Sequence, residues 1–264
     1  MEGTVELADV ALHFQVEGEG AHTVVLTHGL GGSLRYWDGL TESLARHYRV
    51  LRWDLRGAGA STRPPGPYSS TLFARDLIGL LDHLKIPTAH LVGHSGGGVV
   101  SQRCALDFPA RVRSLVLVST SSEVGEKARV AWLRLADVIE ARGFGPNAAP
   151  DVRGFAPAFV AAHPAVVAAL TQQTRANDPR AYADSARAFG TYGWTNELDR
   201  VEIPTLILQG LEDGMTPPGG SVIMSRHLRR SRLVMVPGAG HNLPLEQPVV
   251  VTAALLSFLA GLDC

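Results

Sequence analysis

The sequence predicts an α/β fold: a mostly parallel eight-stranded sheet with helices on both faces and a helical insertion laid over it. Three observations carry that expectation. Apolar runs alternate with amphipathic helical stretches up to about Ser119. The pentapeptide Gly93-His94-Ser95-Gly96-Gly97 sets a serine, at G-x-S-x-G spacing, between a strand-like run and a helical one. From about Ser121 to Asn196 the strand signals stop, and they resume at Thr205.

Thr4 to Val10 and Leu12 to Val16 look like an opening hairpin. Thr23 to Leu26 is a buried strand that runs into His28-Gly29-Leu30-Gly31-Gly32-Ser33, and Ser33 is placed to cap a helix through Leu44. Tyr48 to Trp53 is the next strand. After it, Asp54 to Gly59 look like a tight turn stitched by a local ion pair between Asp54 and Arg56, which gives Asp54 a structural role. Phe73, Leu77, Leu80, Leu81 and Leu84 recur at helical spacing and must face a core. The strand Ala89 to Val92, the serine turn, the helix Val99 to Leu106 and the strand Val112 to Val118 follow.

Inside the insertion, Trp132, Leu135, Ala136 and Ile139 form one apolar stripe. Pro164 opens a second helix, and Asp178-Pro179 supplies a cap and first position for a third, ending near Gly190. Strands at Thr205 to Gln209 and Arg232 to Val236 flank a helix around Ser221 to Leu228. The last helix carries Val251, Ala254, Leu255, Phe258 and Leu259 on one face. The expected division is a core of 1–120 and 197–264, with 121–196 as a lid.

Composition narrows the function classes. A chain of 264 residues at 45% hydrophobic content can bury a sizeable core. A net charge of −1 gives no reason to expect nucleic acid or an anionic membrane as partner. Cys104, inside a predicted helix, and Cys264, the last residue, make no disulfide framework and suggest a reducing compartment. Met1-Glu2-Gly3 begins no basic or apolar leader, so the expected location is the cytoplasm.

A serine hydroxyl attacks a carbonyl only when a base takes its proton, and that base needs a third group to orient it. Reactive groups in sheets of this kind gather at the carboxyl ends of strands. His241, in Pro237-Gly238-Ala239-Gly240-His241, follows the strand ending at Val236. Asp213 follows the strand ending at Gln209, and its neighbour Glu212 is the rival acid. Ser95, Asp213 and His241 therefore form the candidate triad, in the chain order expected after an elbow of this kind. The oxyanion of a tetrahedral intermediate needs preset donors, one of which is worth about 3–4 kcal/mol. The amides of Gly96 and Leu30 are the candidates. His28 is expected to brace the Leu30 loop, and His94 to pack.

With these residues in view, the chain resembles the α/β-hydrolase superfamily over essentially its full length. His28-Gly29, the Gly93–Gly97 elbow, Asp213, and His241 followed by Glu246-Gln247-Pro248 carry the resemblance. Within the superfamily it is most similar to 3-oxoadipate enol-lactonases and small bacterial carboxylesterases. The similar stretches are Leu34 to Asp38, Arg52 to Gly57, Pro64 to Tyr68, Phe155 to Phe159 and Asp178-Pro179. The departures are His28-Gly29, His94 and Gly96, where enol-lactonases tend to carry Asn-Ser, Leu and Met. The resemblance implies hydrolysis of a small ester or lactone without cofactor or metal, by a monomer or homodimer. Carbon–carbon or thioester hydrolysis by the same triad, and a ligand receptor on the same fold, are the alternatives. Trp132, Phe155, Phe159, Trp194 and Met215 are candidate pocket residues, and Arg35, Arg129 or Arg134 could meet a substrate carboxylate.

Overall fold

In the computed structural model, which describes residues 1–145 and 152–262, eight strands form one sheet. They are β1 (Glu2–Glu6), β2 (Ala11–Glu17), β3 (Thr23–Thr27), β4 (Arg49–Trp53), β5 (Ala89–His94), β6 (Val112–Val118), β7 (Thr205–Gly210) and β8 (Ser231–Val236). Their spatial order is β1-β2-β4-β3-β5-β6-β7-β8. β2 runs antiparallel to both its neighbours, and every pairing from β4 through β8 is parallel. Every residue of β3, β5 and β7 is buried. Covered on both faces, such strands read as continuous apolar runs rather than alternating ones.

One face is covered by α2 (Ser70–His83) and α3 (Gly96–Asp107), the other by α1 (Asp38–Ala45) and the C-terminal α10 (Pro248–Ala260). Phe73, Leu77, Leu80 and Leu81 of α2 are fully buried in the first layer; Leu40 and Leu44 of α1 meet Val251, Leu255 and Leu259 of α10 in the second. Truncating one such leucine to alanine removes about 2–5 kcal/mol of stability. Ser69 caps α2, its hydroxyl accepting from the Leu72 amide at 3.1 Å.

Between β6 and β7 the described residues hold helices α4 (Glu126–Arg142), α5 (Pro157–Ala162), α6 (Pro164–Arg175) and α7 (Pro179–Gly190), and no sheet strand. Asp178 caps α7 as its sequence implied, Oδ1 accepting from the Ala181 amide at 2.9 Å. α8 (Pro218–His227), the short α9 (Leu243–Glu246) and α10 complete the chain.

Three local expectations are corrected, and one helix goes unread in the sequence. Ser33 does not cap a single helix through Leu44: a 3-10 turn, Leu34–Trp37, precedes α1, and the Ser33 hydroxyl accepts from Gln173 Nε2 at 2.8 Å instead. Asp54 is not paired with Arg56. Its carboxylate accepts from the amides of Leu34 (2.7 Å) and Ala60 (2.9 Å), while Arg56 is buried against Asp76 and Asp9. Leu135 leaves the buried stripe of Ala136 and Ile139 and stands 40% exposed. α5 carried no helical signal of its own, being only six residues long. Cys104 is a free, buried thiol, and Cys264 lies outside the described residues. No helix of the described residues is long and apolar enough to cross a membrane.

Candidate active site

Ser95 lies between β5 and α3 with φ 52° and ψ −117°, a backbone conformation that strains any residue with a side chain. Crowding explains the flanking glycines. A Cβ on Gly97 would collide with the Thr27 carbonyl oxygen, and one on Gly93 with the Gly97 carbonyl. The turn is held by hydrogen bonds on both sides. The Ser95 amide donates to Val118 O (2.9 Å), and its carbonyl accepts from Gly98 N (2.9 Å) and Thr120 Oγ1 (2.8 Å). The strained serine is thus fixed at the carboxyl end of a central strand.

His241 and Asp213 come together from the loops after β8 and β7. His241 Nδ1 donates to Asp213 Oδ2 at 2.9 Å, and both side chains are buried. Asp213 Oδ1 accepts from the amides of Met215 and Thr216, each at 2.8 Å. Its Oδ2 also accepts from Gln209 Nε2 (3.0 Å) and Thr216 Oγ1 (2.7 Å). Burial alone pushes this carboxyl upward, but the bonds from His241 and Thr216 outweigh it and hold its pKa below the ordinary value. The rival Glu212 is exposed.

The Leu30 loop comes close to the serine: a Cβ on Gly29 would lie 3.0 Å from Ser95 Cβ. His28, wholly buried, donates from Nδ1 to Gly29 O (2.7 Å) and accepts from the Leu55 amide at Nε2 (3.1 Å), which ties this loop to the turn after β4. Burial lowers its pKa. The amides of Leu30 and Gly96 have no backbone acceptor among the described residues. His94 does more than pack. Its Nε2 donates to the His241 carbonyl (2.9 Å), its ring stacks on Tyr36, and burial together with the neighbouring His241 brings its pKa down to about 3.

Two cavities, of about 300 and 370 Å³, meet at a waist formed by Leu30, Ser95, Trp132, Met215 and His241. The first runs past Val99, Phe189 and Ile223; the second past Tyr36, Phe155, Thr174 and Arg175. Trp132 and Met215 therefore stand where the sequence put them, beside the serine. Phe159 and Trp194 line neither cavity. Phe159 stacks on Phe155, with centroids 5.7 Å apart, and Trp194 is buried with Nε1 bonded to Gln102 Oε1 at 3.1 Å. Arg35, Arg129 and Arg134 line neither cavity and are exposed.

Sequence reasoning missed four residues at this site. Thr216 joins the acid cluster, and Asn242 donates from Nδ2 to Gly154 O at 2.8 Å. Asn177 bonds the Leu30 loop through Gly31 O at 3.0 Å, and Arg175 lines the second cavity. Only the place of Thr216 in the loop after β7, three residues after Asp213, could have signalled any of them.

Comparisons with known proteins bear on the fold and the family. The alpha/beta hydrolase fold model matches residues 22–248. A 3-oxoadipate enol-lactonase 2 of Acinetobacter baylyi is 31% identical over 93% of this chain and 91% of its own. A protein of Variovorax paradoxus named "Putative carbamate hydrolase RutD" is 34% identical over 94% of this chain and 96% of its own. The crystal structure of the enol-lactonase from Burkholderia xenovorans LB400 superposes with a TM-score of 0.92 at 27% identity, over 98% of this chain and all of that one. By its sheet order, its serine elbow and the extent of these matches, the chain belongs to the alpha/beta hydrolase fold family.

Proposed function

We propose that the protein is a serine hydrolase of carboxylic esters or lactones that works through an acyl-enzyme. The observation that carries this reading is the 2.9 Å bond from His241 Nδ1 to Asp213 Oδ2 beside a cavity waist that Ser95 shares. Asp213 fixes the tautomer, so Nε2 is the nitrogen free to take a proton. Ser95 Oγ attacks the carbonyl carbon and its proton passes to His241. The Leu30 and Gly96 amides bind the oxyanion. The carbon–oxygen bond to the leaving group then breaks, and His241 hands its proton to the departing alcohol. Water attacks the acyl-enzyme by the same route, returning the proton to Ser95 and releasing the acid.

Residues 121–196 act in this reading as a lid over the cleft, since Trp132 of α4 forms part of the waist and Arg175 of α6 lines the second cavity. The proposed location is the cytoplasm, in keeping with the free, buried thiol of Cys104. The likeness to a protein named for carbamate hydrolysis favours carbamates as a second substrate class, with a carbamoyl group carried on the same serine. A panel of simple esters, lactones and carbamates, run with the native chain and with Ser95→Ala, tests both. Hydrolysis of esters or lactones that disappears in Ser95→Ala supports the first reading, and turnover confined to carbamates supports the second.

A further inference from the structure

The two cavities that meet at Ser95 differ in charge. Among the described residues, the first has Glu123 as its only permanently charged lining residue, with Thr195 Oγ1 donating to that carboxylate at 2.9 Å. Its walls are otherwise largely apolar, with Val99, Phe189 and Ile223 among them. Among the described residues, the second has one permanent cation, Arg175, and no acid. An anionic group is therefore disfavoured in the first cavity and favoured in the second, and the interaction is stronger where the walls keep water out.

Arg175 is also unlike most of the buried or half-buried arginines. Arg52, Arg56, Arg103, Arg111 and Arg187 each meet a carboxylate, whereas half-buried Arg49 and Arg175 have no carboxylate partner among the described residues, and of these two Arg175 alone lines a cavity that reaches Ser95. It stands in the last turn of α6, where any cation gains modestly from the helix dipole. That gain accounts for a basic residue at the helix end. It does not account for an arginine without a carboxylate partner that is half-buried and lines a cavity reaching Ser95. A guanidinium so placed presents a planar fork of donors suited to a carboxylate.

We propose that the second cavity is a carboxylate subsite anchored by Arg175, and that the substrate is a two-armed ester. One arm is apolar and fills the first cavity, and the other ends in a carboxylate that meets Arg175. The inference rests on the ester-hydrolase reading and extends it. With about 300 Å³ on one side of the serine and about 370 Å³ on the other, each arm has room for several heavy atoms. An acetate ester would leave one cavity empty. The three arginines that sequence alone offered for this task line neither cavity.

The test uses two matched pairs of esters, because the carboxylate could sit on the acyl or the alcohol side. One pair is 4-nitrophenyl hydrogen glutarate against 4-nitrophenyl valerate. The other is 4-(butanoyloxy)butanoate against its primary amide. In Arg175→Gln the acidic-to-neutral ratio of kcat/KM is expected to fall at least tenfold in one pair, and Arg175→Lys to recover part of the loss. Glutarate serves as a binding probe independent of turnover, with a Kd by calorimetry that rises at least fivefold in Arg175→Gln. Ratios within twofold of native in both pairs, with glutarate binding unaltered, overturn the subsite. Ester turnover that persists in Ser95→Ala overturns the hydrolase reading instead, and the glutarate titration still reports on Arg175.

Discussion

His94 Nε2 donates a 2.9 Å hydrogen bond to the backbone carbonyl of His241, so the residue before the elbow serine holds the main chain of the residue proposed as its base. The two rings lie 4.8 Å apart, and His94 is itself pinned by its stack on Tyr36. Replacing His94 by leucine leaves a buried carbonyl without its donor, a loss of about 1–3 kcal/mol. If that loss falls on the position of His241, kcat drops about tenfold to hundredfold, and Ser95 acylation by a fluorophosphonate slows in parallel. Native acylation rates in a folded His94→Leu would show that His94 only packs.

The elbow predicts opposite effects on stability and activity. Ser95→Ala and Ser95→Gly both remove the hydroxyl, but only glycine adopts φ 52° without a Cβ penalty. The glycine variant is expected to be more stable than the alanine variant by about 1–3 kcal/mol in urea unfolding, with both inactive. Equal stabilities would mean that the turn stores no strain.

Asp213 and Glu212 separate cleanly. Asp213→Asn should lower kcat by about 10³–10⁴-fold through loss of the correct His241 tautomer, while Glu212→Gln, an exposed change, should stay near native. The pH dependence has a definite sign. A carboxyl whose folded pKa is depressed contributes stability that is present above the unfolded value near 4 and is lost as pH falls through the lower folded value. The stability gap between native protein and Asp213→Asn should therefore be wider at pH 7 than at pH 3. A gap that is constant or wider at pH 3 contradicts the depressed carboxyl.

The helical insertion between β6 and β7 holds the loop proposed to bind the oxyanion. Asn177 Nδ2 donates to Gly31 O at 3.0 Å, and Gln173 Nε2 to Ser33 Oγ at 2.8 Å. Asn177→Ala frees the Gly31 carbonyl and should lower kcat about fivefold to tenfold, a loss of one neutral hydrogen bond of about 1–1.5 kcal/mol, with a smaller change in KM. An unchanged kcat would mean that the loop keeps its shape without this bond.

Much of this was legible in the chain because local chemistry dictated it. Gly93 and Gly97 are required by backbone crowding at one turn, the wholly buried β3, β5 and β7 declare themselves as apolar runs, and Asp178-Pro179 marks its helix start by capping alone. What stayed hidden depends on long-range placement. Nothing near Arg175 or Asn177 in sequence says which way α6 faces, and Trp132 and Trp194 are both apolar residues of one insertion. Folding puts the first at the cavity waist and the second in the core. Asp54 and Arg56 looked paired because they are two residues apart, yet the stronger partners, Asp76 and Asp9 for one and backbone amides for the other, lie farther off in sequence.

Whether Ser95 carries the acyl group is settled most directly by covalent labelling. The native protein, incubated with a fluorophosphonate and digested, should yield one modified peptide with the adduct on Ser95, with hydrolysis of 4-nitrophenyl butyrate lost in proportion to labelling. An adduct on another residue, or full esterase activity in a stoichiometrically labelled protein, would contradict the account.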